Sequence, residues 1–190
     1  MAQFSSRGAL RGEIYRQRAA LSPAAWRRED EQRQAWVLAE LAAWPITTVA
    51  LYVAKPGEPA TAGIISALDK QGWRVLLPML RSTPDWAEFA GWDQIAPGPL
   101  GISQPTGRAL GAAALGEAGL IICPGLAFSA DGTRLGRGGG WYDRALLHRR
   151  QGVPVWLLAR SCEQRELIAE PHDVAVTDVV TELGRRPLGG

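Results

Sequence analysis

The chain has 190 residues, 46% of them hydrophobic and 21% charged, with a formal net charge of +2. These values fit one globular domain with a substantial core, and they exclude a general polyanion binder, which carries a marked basic excess. Of the 21 basic residues all but Lys55 and Lys70 are arginines, and neither lysine follows a glycine, so a Walker A loop with its Gly-Lys-Ser/Thr is excluded as well.

Residues Ser6 to Ala20 carry Leu10 and Ile14 at helical spacing with arginines between them, which predicts a first helix. Ser22-Pro23 reads as an N-cap with proline at the first helical position. The second helix then runs to about Ala43, where Trp44-Pro45 stops it, with Arg27 to Arg33 expected as a solvated face. Thr47 to Val53 is a β-branched and apolar run suited to a strand buried on both faces. A loop from Ala54 to Ala60, a helix from Thr61 to Gln71 ended by Gly72, and a strand from Trp73 to Leu77 ended by Pro78 complete a βαβ unit. A parallel sheet with a right-handed crossover follows from that order.

Trp86 to Trp92 reads as an edge hairpin, Pro97 to Gly107 as loop, and the Ala/Gly-rich Ala109 to Gly119 fits no single class. Leu120 to Cys123 is another apolar strand, broken by Pro124-Gly125. After a long loop come a helix from Trp141 to Arg150, a strand from Val155 to Leu158, the polar segment Pro171-His172-Asp173 and a last short strand near Val174 to Val180. No repeat, linker or composition shift divides residues 1 to 190, so a single domain is expected.

Cys123 and Cys162 make neither a disulfide framework nor a CxxC metal spacing, which indicates a reducing compartment. Met1 to Arg7 has no apolar signal segment, and the uncharged stretch Leu41 to Ala54 is interrupted by Pro45 and too short to cross a bilayer. The expectation is a cytoplasmic protein with neither membrane nor nucleic acid as partner.

The chemistry concentrates between Gly125 and Arg144. There Gly136, Gly138, Gly139 and Gly140 surround Arg137, after a strand and before a helix. Without Cβ atoms in the way, several backbone N–H groups can converge on an anion. The following helix N-terminus adds partial positive charge, and Arg134 and Arg137 add forked donors. Asp143 lies where a carboxylate can hold Mg²⁺ against phosphates. The dinucleotide fingerprint fits less well, because Trp141 stands where its third glycine is required. The pattern reads as a nucleoside triphosphate site without a P-loop lysine.

Pro124-Gly-Leu-Ala-Phe128 followed by Gly132-x-Arg134-Leu-Gly-Arg-Gly-x-Gly140-Trp-Tyr-Asp143 resembles the signature of the 5-formyltetrahydrofolate cyclo-ligase family. Arg7-x-x-Leu10-Arg11, Gly57-Glu58-x-x-Thr61, Gly101-Ile-x-Gln104-Pro105 and His172-Asp173 with Asp178 also fall in that family's order, so the resemblance spans nearly the whole chain. It implies an α/β fold, a three-layer α/β/α sandwich around a mostly parallel, Rossmann-like sheet. It implies ATP- and Mg²⁺-dependent conversion of 5-formyltetrahydrofolate to 5,10-methenyltetrahydrofolate, with ADP and phosphate released.

Carried over residue by residue, the resemblance assigns ATP to Arg7, Leu10, Arg11, Arg134, Leu135, Gly136, Arg137, Gly138, Gly139, Gly140, Trp141 and Tyr142. It assigns folate to Val53, Glu58, Arg137 and Trp141, and Mg²⁺ to Asp143 and Asp173. Arg137 and Arg134 would be the catalytic pair, Arg137 stabilising the transferring phosphoryl group. Trp141 and Trp86 are the candidates for stacking on a pterin ring. The expected partners are the two small-molecule substrates, bound by a monomer. Three positions depart from the usual pattern: Gly139 stands where many members carry lysine, Trp141 where many carry tyrosine, and Ala87 where a methionine-like residue is common. The competing reading is a family-like nucleotide-binding protein without cyclo-ligase activity.

Overall fold

The computed structural model describes residues 6–189. Ser6 and Ser22 each turn a hydroxyl back onto the backbone N–H three residues on, at 3.2 Å, and so cap α1 (Arg7–Ala19) and α2 (Pro23–Leu41). Each helix buries a stripe at i, i+4, i+8: Leu10, Ile14 and Arg18 in α1; Arg33, Val37 and Leu41 in α2. Then follow β1 (Thr48–Ala50), α3 (Ala62–Lys70), β2 (Arg74–Leu80), β3 (Pro84–Glu88), β4 (Ile95–Pro97), β5 (Ser103–Pro105), β6 (Leu120–Pro124), β7 (Ala127–Phe128), β8 (Arg134–Leu135), α4 (Trp141–Leu146), β9 (Val155–Leu158), β10 (Asp178–Thr181) and β11 (Gly184–Pro187).

Seven strands form one sheet in the order β11-β10-β9-β6-β1-β2-β3. β10, β9, β6, β1 and β2 run parallel, and β11 and β3 close the two edges antiparallel. The pleat divides the buried side chains into two cores. Val49, Val75, Leu77, Leu120, Ile122, Trp156 and Leu158 face α2 and α3. Ala50, Leu76, Ile121, Cys123, Val155 and Leu157 face α4 and the 3₁₀ turn at Ala112–Glu117. Helical layers therefore lie on both faces, and the three-layer α/β expectation holds.

Several local expectations are corrected. β2 runs through Pro78 and does not end there. β1 pairs with β2 only as far as Leu76, so the missing Pro78 N–H lies past the end of that ladder. The hairpin at this edge is β2 with β3, not Trp86 to Trp92. The loop expected from Pro97 to Gly107 contains β5, which pairs with β4, and β11 adds a final strand. α4 ends at Leu146, four residues before Arg150. Arg33 lies fully buried rather than on a solvated face, with its guanidinium against Asp30, Glu29 and Glu182.

Candidate active site

The glycine loop is seated at the carboxyl end of the central strands, where open α/β sheets place their ligands. β6 ends at Pro124, the β7–β8 hairpin follows, and Gly136 to Gly140 lead into α4. Leu135 is fully buried beneath the loop and packs with Leu10, Ile14, Leu126 and Ala127. Leu10 and Leu135 thus lock α1 to the loop and do not line either cavity described below. Above them Arg11 Nε donates to the Gly136 carbonyl at 2.9 Å. Gly138 has φ +104°, and a Cβ there would come within 3.5 Å of Arg11 Cζ. Only glycine takes that turn without strain. Because α4 has six residues, its macrodipole adds less positive charge than the longer expected helix would.

A cavity opens on each side of the loop. One, of about 350 Å³, is lined by Tyr15, Arg18, Trp26, Pro56, Gly57 and Arg137 among others. The other, of about 620 Å³, is lined by Gly138, Gly139, Gly140, Asp143, Arg144 and Asp173, with Leu147, Pro171, His172 and Val174. The five-residue loop thus presents Arg137 to one cavity and three backbone-only residues to the other.

Ion pairs organise both sides. Arg134 is buried and donates to Asp143 Oδ1 at 2.8 Å and to the Pro124 carbonyl at 3.2 Å. Its guanidinium also lies over the Tyr142 ring, 5.7 Å from the centroid. Arg7 holds Asp173 through both carboxylate oxygens and reaches the Ile168 carbonyl. Burial pushes the Asp173 carboxyl up, but the Arg7 contacts and the Glu170 N–H outweigh it and hold the acid below its usual range. Arg137 donates to Glu58 at 2.8 Å and to the Tyr15 hydroxyl at 3.1 Å. Burial pushes the Glu58 carboxyl up to about 7, against the pull of Arg18.

Asp143 and Asp173 face the second cavity beside the glycine loop, and they supply the hard oxygen donors that Mg²⁺ takes. Asp143 uses Oδ1 for both its Arg134 and Val174 contacts, so Oδ2 has no donor among the described residues. This donor set fits a divalent cation. A second grouping, Glu170, His172 and Asp173, brings one ligand atom from each within 4.8 Å of the others.

Trp86 is fully buried, with its ring edge-on to Trp141 at 5.4 Å, so it supports Trp141 and does not itself offer a stacking face. Trp141 and Tyr142 are half-buried, and the Trp141 Nε1 and Tyr142 hydroxyl have no hydrogen-bond partner among the described residues. Burial pushes the Tyr142 phenol well above its ordinary range, which removes it as a base at neutral pH. The Cys123 thiol, pushed up to about 11 by burial, is equally removed as a nucleophile. Val53 lies half-buried against the core beside the Gly57-Glu58 loop.

Sequence reasoning missed Arg18. It is buried, pairs with Glu163 through two bonds of 2.7 and 2.8 Å, and donates to the carbonyls of Gly57 and Gly125 at 2.9 and 2.8 Å. One guanidinium therefore ties α1 to the Glu58 loop and to the end of β6. The available signal was its place in the Leu10, Ile14 stripe. Tyr15 and Arg144 were also missed.

The 5-formyltetrahydrofolate cyclo-ligase family model matches residues 3–182. A 5-formyltetrahydrofolate cyclo-ligase from Mycolicibacterium smegmatis is 35% identical over 93% of each chain. Among solved structures, the 5,10-methenyltetrahydrofolate synthetase of Aquifex aeolicus superposes with a TM-score of 0.81 at 25% identity, covering 98% of this chain and 94% of its own. The 5,10-methenyltetrahydrofolate synthetase of Mycoplasma pneumoniae gives 0.77 at 22% identity, covering 94% and 99%, a likeness of fold.

Proposed function

The chain belongs to the 5-formyltetrahydrofolate cyclo-ligase family, and from that membership we propose that it closes the folate ring of 5-formyltetrahydrofolate to give 5,10-methenyltetrahydrofolate, with ATP converted to ADP and phosphate. The observation that carries this reading is the glycine loop set between two cavities, Arg137 on the rim of one and Gly138 to Gly140 in the wall of the other. A reaction that passes a phosphoryl group from a nucleotide to a folate needs the two substrates held side by side.

The folate occupies the cavity beside Gly57 and Arg137, with Glu58, held by Arg137, accepting N–H donors of the pterin; Val53 and Trp141 pack against the two cores outside that lining and bear on the pocket only through their neighbours. ATP occupies the cavity of Gly138 to Gly140, its phosphates on the loop's backbone N–H groups, with Arg7 and Arg11 anchoring α1 against it. Asp143 and Asp173 would hold Mg²⁺, which supplies charge neutralisation at the phosphates. The formyl oxygen attacks the γ-phosphorus and the bond to ADP breaks. N10 then adds to the activated formyl carbon and loses its proton, and the carbon–oxygen bond to phosphate breaks to leave the methenyl bridge. An amide oxygen attacking phosphorus needs little base catalysis, so alignment and charge stabilisation dominate. Arg137, on the wall of the smaller cavity next to those glycines, stabilises the phosphoryl group in transfer. Arg134 fixes Asp143 from below.

The test is to mix the purified protein with 5-formyltetrahydrofolate, ATP and Mg²⁺ and follow the near-UV absorbance of the methenyl product. An ATP-dependent rise is expected. ATP binding without that rise would turn the reading toward a nucleotide-binding protein of the same fold.

A further inference from the structure

Five arginines surround the glycine loop, and their charges are not equally committed. Arg7 is shared between Asp173 and Glu170, while Arg134 and Arg137 are each paired with one carboxylate, Asp143 and Glu58. Arg11 and Arg144 have no carboxylate within ion-pair distance among the described residues. Each instead holds a backbone carbonyl at one end of the loop, Gly136 at 2.9 Å and Gly139 at 3.0 Å. Of these two, only Arg144 belongs to the wall of the larger cavity.

We propose that Arg144 is a phosphate-binding residue of the larger cavity, contacting the phosphate chain of the nucleotide. The proposal rests on the reading of that cavity as the ATP site. Both carboxylates in the wall, Asp143 and Asp173, are already neutralised by arginines behind them, so the uncompensated charge facing the cavity is the Arg144 guanidinium. That charge calls for an anion. The side chain is exposed, and its bond to Gly139 uses one of five N–H donors. The remaining donors form a planar fork suited to phosphate oxygens. The Gly139 contact also lays the guanidinium across the loop whose backbone N–H groups would meet the same phosphates. A Cβ at residue 140 would stand 3.2 Å from Arg144 Nη1, so glycine at this position leaves the guanidinium its room.

The experiment titrates ATP, inorganic triphosphate and, by competition, adenosine into the wild type, Arg144→Gln and Arg144→Lys, with KM for 5-formyltetrahydrofolate measured in parallel. The glutamine variant is expected to bind ATP and triphosphate about tenfold or more weakly, the size of one lost charged hydrogen bond. Adenosine affinity and the folate KM should not move, and the lysine variant should recover part of the loss. ATP affinity in Arg144→Gln within about twofold of wild type would overturn the proposal. So would an equal loss for adenosine and triphosphate, which would make Arg144 a positioning residue for the loop alone. Wild-type protein that binds neither ATP nor triphosphate would instead overturn the reading of the cavity, and the proposal with it.

Discussion

Arg137 Nη1 lies 2.8 Å from Glu58 Oε1, joining the glycine loop to the loop after β1 across 79 positions of chain. The same guanidinium sits over Tyr15, 5.6 Å from the ring centroid. These contacts hold Arg137 on the wall of the smaller cavity, one residue before the glycines that line the larger one. Substituting Arg137→Ala should lower turnover about a hundredfold, the usual cost of losing one donor to a developing charge. Stability should change by less than about 1 kcal/mol, because the pair is partly exposed. Steady-state kinetics and a urea titration together check this. Normal turnover would remove Arg137 from the reacting centre.

Glu58 gives a pH dependence whose sign can be stated. Burial raises its folded pKa to about 7, above the ordinary carboxylate value. Between those two values the folded state holds a proton that the unfolded chain has released. This group's contribution to stability therefore falls as pH rises toward 7 and levels off above it. Glu58→Gln should remove that slope, so its melting temperature gains on the wild type between pH 5 and pH 8. Binding runs the other way. The ionised carboxylate accepts pterin N–H donors, so KM for the folate should rise below about pH 7 in the wild type, and the limb should vanish in the variant.

The Arg18–Glu163 pair is nearly sealed from solvent, and both partners are hydrogen-bonded. Glu163→Ala leaves Arg18 charged and unpaired and should destabilise the fold by about 3–5 kcal/mol. The double substitution Arg18→Met with Glu163→Leu should recover most of that loss. It should still raise KM for the folate, since nothing then holds the Gly57 carbonyl. Chemical denaturation of the wild type and the two variants measures both changes.

Gly138→Val should abolish ATP binding while the protein remains folded. A β-branched residue at φ +104° is strained by about 1–3 kcal/mol, and its Cβ would meet the Arg11 guanidinium. ATP titration with a circular-dichroism melt separates the two effects.

The sheet core was readable because strands buried on both faces leave continuous apolar runs such as Leu120 to Cys123 and Val155 to Leu158. The glycine loop was readable because its residues are contiguous. What escaped depended on partners distant in sequence. Arg18 and Arg33 sit on buried helical stripes, yet a charged residue between polar neighbours reads as solvated until Glu163 closes on one and Glu182 on the other. Pro78 reads as a strand end because the sequence does not show that β1 stops short of it. Arg144 looked like an ordinary helix residue until the carboxylate pairing of its neighbours left it as the uncommitted charge in the cavity wall.

In the proposed reaction the loop between the two cavities couples nucleotide cleavage to ring closure, so that each turnover needs both substrates bound. The most direct test of that coupling follows ADP and the methenyl product in the same sample of wild-type protein, with each substrate supplied alone and together. The account predicts one ADP for each methenyl folate formed, and neither product when either substrate is withheld. ADP formed at an unchanged rate without 5-formyltetrahydrofolate, or methenyl product formed without ATP, would contradict it.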